Sequence, residues 1–253
     1  MSVYAVSDLH GQYDTFIKGL EKIGFSDDDI LYVLGDAIDR GPKGIKILIH
    51  IKKNKNMDLI IGNHEFMMLN AVATDGKKKC NGQDAELWLD YNGGRKTFPD
   101  YGRLPVNQRK SLLEWLNSRY LIKTIEVGDR KFCLTHSYYS NALENVIYSE
   151  ASYCDIWNTV WMSMYRYGDE THGENIYKDY PEYTFITGHV PVLSVMRSRK
   201  GRRDYNELTN LKDGNLIDID GACAMGYQRG VNNGALFLRL DDMKVFPIPL
   251  VEK

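Results

Sequence analysis

Cysteine is scarce in this chain. There are four, Cys80, Cys133, Cys154 and Cys223, and no two are spaced as a CxxC pair. That argues against a disulfide scaffold and a thiolate zinc cluster, and fits a reduced, cytoplasmic protein. No apolar run approaches the roughly 20 residues that cross a bilayer, so no membrane partner is expected. Net charge is nearly absent as well, at −2. Such a balance supplies no bulk attraction to nucleic acid or to an anionic surface. Internal repeats and low-complexity linkers are missing. Strand signal begins at Val3, so a cleavable leader is not expected. We read residues 1–253 as one domain, with insertions near 72–106 and 165–183 that rim an active site.

What the chain does have is three compact polar blocks, each behind a short apolar run. The first is Ser7-Asp8-Leu9-His10-Gly11, the second Gly35-Asp36-Ala37-Ile38-Asp39-Arg40-Gly41, and the third Gly62-Asn63-His64-Glu65. Asp8, Asp36 and Asn63 stand 28 and 27 residues apart. Strand, acidic or histidine loop, then helix, repeated three times, delivers metal-type ligands to one edge of a sheet. The patterning predicts strands at 3–7, 30–35 and 58–61 and helices at 12–23, 43–53 and 64–71. Further on it predicts a helix at 107–118, a hairpin of strands 121–126 and 131–135, and a helix at 149–166. Strands are then expected near 184–187, 192–196, 215–219 and 234–240.

The three blocks resemble the signature of the phosphoprotein phosphatase family of calcineurin-like metallophosphoesterases: Asp-x-His-Gly, Gly-Asp-x-x-Asp-Arg-Gly and Gly-Asn-His-Glu, then two separate histidines. Thr135-His136-Ser137 and Gly188-His189-Val190 fit the last two. Ser7 departs from the family's usual Gly, at a position that is not a ligand. Trp88 with Asn92-Gly93-Gly94 is similar to a segment of bacterial and phage members. The resemblance implies an α/β fold, the calcineurin-like α/β/β/α sandwich of two mixed β-sheets flanked by helices.

It also implies a site. Asp36 would bridge two divalent metal ions, Asp8 and His10 completing one set of ligands and Asn63, His136 and His189 the other. Only two of these six are anionic, which leaves two dications with a positive charge that attracts phosphate. Nitrogen and oxygen ligands without thiolate suit manganese, the expected ion, and also iron, zinc or nickel. His64, held by Asp39, would protonate the leaving group, the carboxylate raising the imidazole pKa. Arg40 would fork onto phosphate oxygens. The family's second phosphate-binding arginine has no aligned counterpart, because Trp161-Met162-Ser163 occupies its place; Arg166 is the nearest candidate.

The implied activity is phosphoric ester hydrolysis by a metal-bridging hydroxide. A serine/threonine protein phosphatase, acting also on phosphotyrosine, is the leading reading. A symmetrical bis(5'-nucleosyl)-tetraphosphatase shares the motifs, and a non-catalytic phosphate-binding module is the third. The expected partner is a phosphoprotein or a phosphorylated small molecule, with no nucleic acid. Other features read as structural: Trp157, Trp161, Met164 and Tyr165 as a packing stripe, and Arg197 to Arg203 as a solvated hairpin loop. The tyrosines of 165–183 fit either packing or a cleft lining.

Overall fold

A computed structural model describes residues 1–77, 80, 82–165, 174–199, 201 and 203–250. Two five-stranded sheets stack face to face. The first has the order β10-β9-β1-β2-β3, formed by Lys244–Pro249, Gly234–Arg239, Val3–Val6, Ile30–Leu34 and Met57–Ile60. The second runs β4-β5-β6-β8-β7, formed by Ile122–Val127, Arg130–Thr135, Tyr183–Thr187, Leu216–Asp218 and Leu211–Asp213. Strands β1, β2 and β3 pair parallel, as do β5, β6 and β8, while β9, β10, β4 and β7 pair antiparallel to their neighbours.

Side-chain alternation explains the layers. Successive residues of a strand point to opposite faces, so a strand buried on both sides must be apolar throughout. Val3 and Ala5 of β1 join Phe132, Leu134, Ile186, Ile217, Leu236 and Leu238 in the core between the sheets. Their neighbours Tyr4, Val6, Cys133, Phe185 and Phe237 face outward, into the apolar layer that also holds Phe16, Leu48, Val192 and Val195. Phe16 comes from helix α1 (Tyr13–Ile23), Leu48 from α2 (Gly44–Lys53), and Val192 and Val195 from α8 (Val192–Arg199). The chain therefore folds as the expected sandwich of two mixed sheets with helices outside. No helix among the described residues is long and apolar enough to cross a membrane.

Three expectations are corrected. Residues 192–196 form helix α8, not a strand. Val192, Leu193, Val195 and Met196 are β-branched or apolar, but their spacing suits a helix, and Pro191 initiates it, its carbonyl accepting from Ser194 and Val195 N–H. Of the basic stretch, Arg197 to Arg199 therefore end α8 rather than lie in a hairpin loop, with Arg197 Nε donating to the Tyr205 carbonyl at 2.8 Å and Arg199 3.6 Å from Asp213; Lys200 and Arg202 lie outside the described residues. The helix expected over 149–166 is shorter: α7 is Tyr153–Trp161, started by the Ser152 hydroxyl, which accepts from Asp155 N–H. Met164 and Tyr165 lie beyond its end and are buried, as is Tyr177, whereas Trp157 is 36% exposed.

Candidate active site

The parallel strands end together, and the loops leaving them are laced by backbone hydrogen bonds. His10 N–H donates to the Asp36 carbonyl at 2.8 Å, and Gly11 N–H to the Ala37 carbonyl at 2.9 Å. These turns are tight enough to force left-handed backbone on residues with side chains. Asp8, His10, Asp36, Asp39, Arg40 and His189 all have positive φ, between 41° and 74°. Such conformations cost on the order of 1–3 kcal/mol each and persist only where the surroundings over-determine them. Helix α3 (Asn63–Ala71) supplies much of that determination through its first turn. The Glu65 carboxylate accepts the Asp36, Ala37 and Gly62 N–H groups at 2.8, 2.9 and 3.2 Å, and His64 N–H donates to Asp36 Oδ1 at 3.0 Å.

These supports bring the expected ligands together. His10 Nε2 lies 3.6 Å from Asp36 Oδ2 and 3.8 Å from Asp8 Oδ1. His136 Nε2 lies 3.5 Å from Asp36 Oδ1 and 2.9 Å from Asn63 Oδ1, and His189 Nδ1 is 3.1 Å from the same Asn63 oxygen. Among the described residues two groups converge closely enough to hold a cation, His10 with Asp36 and His64, and Asp36 with His136 and His189; Asp36 is common to both. Asp8 is fixed by the Ser7 hydroxyl and by His189 N–H at 2.9 Å, both on Oδ2.

The donor set fits cations. His136 Nδ1 faces the Leu34 carbonyl at 2.8 Å and His10 Nδ1 the Ile38 carbonyl at 3.2 Å. Each ring must place its proton on Nδ1 to satisfy that carbonyl, leaving Nε2 as a lone pair. Those lone pairs point at carboxylate and amide oxygens, which are acceptors too. A cluster of acceptors facing one another without donors is what a divalent ion resolves. Charge tells the same story. Burial pushes Asp8 and Asp36 above the usual carboxylate range, Asp36 further because Asp8 and Glu65 are close. Burial pushes His10 and His189 well below the usual imidazole range, so both are neutral and able to ligate.

His64 Nδ1 is 2.7 Å from Asp39 Oδ2, and its Nε2 is 3.7 Å from Asp36 Oδ2, on the ligand side. The pair forms as expected, but the expected rise in the His64 pKa does not. Burial, then the Arg40 charge, holds it well below the ordinary value. Burial dominates in Asp39 also, raising its carboxyl to about 7. Arg40 is exposed beside this buried cluster, and no ion pair occupies its guanidinium among the described residues. Arg166 lies outside the described residues. Tyr165, just before it, is buried and donates its hydroxyl to Asp218.

Some groups that shape the site carried no role in the sequence reading. Glu65 stood inside a recognised block, but its three backbone partners are visible only in the fold. Buried Asp218 ends β8 and buried Asp220 lies just beyond it; each accepts a backbone N–H at 2.8 Å, from Asp220 and Ala222 respectively. Their signal was the Asp-x-Asp repeat in an apolar strand, where an acid is out of place unless it is bonded.

Comparison with known proteins places this geometry. The chain is 28% identical over 191 residues to serine/threonine-protein phosphatase 2 of Salmonella typhimurium, covering 75% of this chain and 80% of that one. It is 30% identical over 139 residues to the symmetrical bis(5'-nucleosyl)-tetraphosphatase of Buchnera aphidicola, covering 54% of this chain and 44% of that one. It thus spans under half the length of that relative. Among solved structures, a putative diadenosine tetraphosphatase matches with a TM-score of 0.60 at 15% identity, covering 99% of this chain and 94% of that one. A cold-active protein-tyrosine phosphatase of Shewanella matches with a TM-score of 0.57 at 19% identity, covering 98% and 80%. These structural likenesses concern the fold alone. The family described as calcineurin-like phosphoesterase matches residues 1–219, and the chain belongs to that family of metal-dependent phosphoester hydrolases.

Proposed function

We propose that this chain is a serine/threonine protein phosphatase, active also on phosphotyrosine. In this reading residues 1–253 act as one catalytic domain, rimmed by segments 72–106 and 165–183. Asp8, His10 and Asp36 hold one divalent ion, and Asp36, Asn63, His136 and His189 hold the second, with manganese the expected metal. When bound, such an ion pair lowers the pKa of water and neutralises charge on phosphate oxygens. Arg40, exposed and without an ion pair among the described residues, binds and orients the phosphoryl group through two parallel N–H donors. His64 delivers a proton from Nε2 to the departing oxygen and takes up at Nδ1 the proton it shares with Asp39, whose buried carboxyl, raised to about 7, also orients the ring.

The observation that carries the reading is the 2.7 Å His64–Asp39 contact, with Nε2 turned toward Asp36. An alkoxide leaving group is a strong base and needs a proton. A nucleotide leaving a phosphoanhydride is a stable anion and needs none. The pair is therefore worth most with a serine or threonine ester. The extent of likeness to the Salmonella phosphatase adds support. Symmetrical dinucleoside tetraphosphate hydrolysis is the second reading, favoured by the Buchnera relative. The test is kcat/KM on phosphoserine and phosphothreonine peptides against diadenosine tetraphosphate, with Mn²⁺ present. We expect the peptides to be cleaved faster. A value for the dinucleotide tenfold above every peptide reverses the substrate assignment.

A further inference from the structure

A buried tryptophan from outside the ligand blocks reaches the proton-donating pair. Trp88 Nε1 donates to Asp39 Oδ2 at 2.7 Å, the same oxygen that faces His64 Nδ1 at 2.7 Å. Trp88 and Asp39 are both 0% exposed. The indole sits on a π-helical turn, Leu87–Tyr91, a rare backbone form that recurs at functional sites. Its ring is fixed on two sides. A Cβ on Gly94 would lie 2.7 Å from the indole, and Phe98 meets it edge-on with centroids 6.1 Å apart. The same segment grips the Asp39 backbone, because Thr97 Oγ1 accepts Asp39 N–H at 2.9 Å. It also underlies Arg40: a Cβ on Gly93 would lie 3.1 Å from Arg40 Cγ and from Arg40 N. Residues 88–98 thus brace both Asp39 and Arg40, rather than only rimming the cleft.

We propose that Trp88 is a positioning residue for proton delivery, its indole N–H fixing the Asp39 carboxylate in the rotamer that aims His64 Nε2 at the leaving oxygen. A carboxylate bonded only by His64 can swing about χ2 and lend the ring either oxygen; a second donor on Oδ2 removes that freedom. This inference rests on His64 being the acid. It predicts a loss that depends on the leaving group, which general unfolding or metal loss does not produce.

The test compares Trp88→Phe, and a protein carrying β-(3-benzothienyl)alanine at position 88, with wild type and His64→Asn. The benzothienyl ring keeps the indole shape without its N–H, so it reports on the hydrogen bond even where Phe disturbs packing. Substrates are a phosphoserine peptide and p-nitrophenyl phosphate, with Mn²⁺ saturating and metal content measured. We expect kcat on the peptide to fall about tenfold or more, the aryl phosphate to change less than about twofold, and KM and metal content to hold. In the His64→Asn background the Trp88 change should add nothing. Equal losses on both substrates, or full additivity with His64→Asn, overturn the role of Trp88 while His64 keeps its own. If His64→Asn itself loses equally on both substrates, the acid reading fails and takes this one with it.

Discussion

His64 Nδ1 is occupied by Asp39 and only Nε2 faces the ligands, so removing the ring separates proton delivery from metal binding. His64→Asn should lower kcat on a phosphoserine peptide by roughly 10²–10⁴ with two metals retained, and by much less on p-nitrophenyl phosphate. Loss of metal from that variant would make His64 a ligand instead. Arg40→Ala should cost on the order of 2–4 kcal/mol in kcat/KM without loss of metal, since its donors meet charge that grows in the transition state. Glu65 is different in kind. Truncating it to Ala strands three buried N–H groups, at about 1–3 kcal/mol each, so urea denaturation should show destabilisation above about 3 kcal/mol. A change under about 1 kcal/mol would mean that the loops hold themselves. The residues legible in the sequence were those in short contiguous blocks, where residue type and spacing travel together. The Trp88 contact with Asp39 was not, because it joins positions 49 apart through a turn with no periodic signal.

The strand-to-helix turns hold the ligands, and they tolerate little added bulk. A Cβ on Gly188 would fall 2.0 Å from Ser7 Oγ and 2.1 Å from Asp8 Oδ2. Gly188→Ala must therefore push the first loop away from the sixth strand. We expect an unchanged far-UV circular dichroism spectrum and at least a roughly tenfold loss of metal affinity; wild-type affinity would show that Asp8 needs no such close approach. The βα units at the N-terminus were readable because long helices and short apolar strands alternate there. Helix α8 was misread because eight residues are too few for its period to outweigh its valines. Strand β10 went unseen for the opposite reason. Pro247 and Pro249 argue against a strand, yet β10 is an edge strand, where a missing N–H is tolerated.

Burial of so many titratable groups makes the whole molecule sensitive to pH and to metal together. Asp8 and Asp36 are raised by burial. In metal-free protein the fold then binds more protons than the unfolded chain from the ordinary carboxylate range up to those raised values, and stability falls as pH rises across that window. His10, His64 and His189 are lowered by burial. Here the unfolded chain binds more protons, so stability falls as pH drops below about 6.5 toward the lowered values. Metal binding should expel protons from the carboxylates but not from rings already neutral. Calorimetric titration in buffers of different ionisation enthalpy should show proton release, and affinity that climbs with pH through the raised carboxylate range. Binding independent of pH would contradict the assigned ligands.

The central claim is that six side chains from five loops form one two-metal site for phosphoester hydrolysis. It is tested most directly by titrating chelator-stripped protein with Mn²⁺ while following phosphopeptide hydrolysis and bound metal together. The account predicts no turnover at zero metal, full turnover at two ions per chain, and both losses at once in Asp36→Asn, which removes the shared ligand. Full activity in the stripped protein, or saturation of activity in Asp36→Asn, would contradict it.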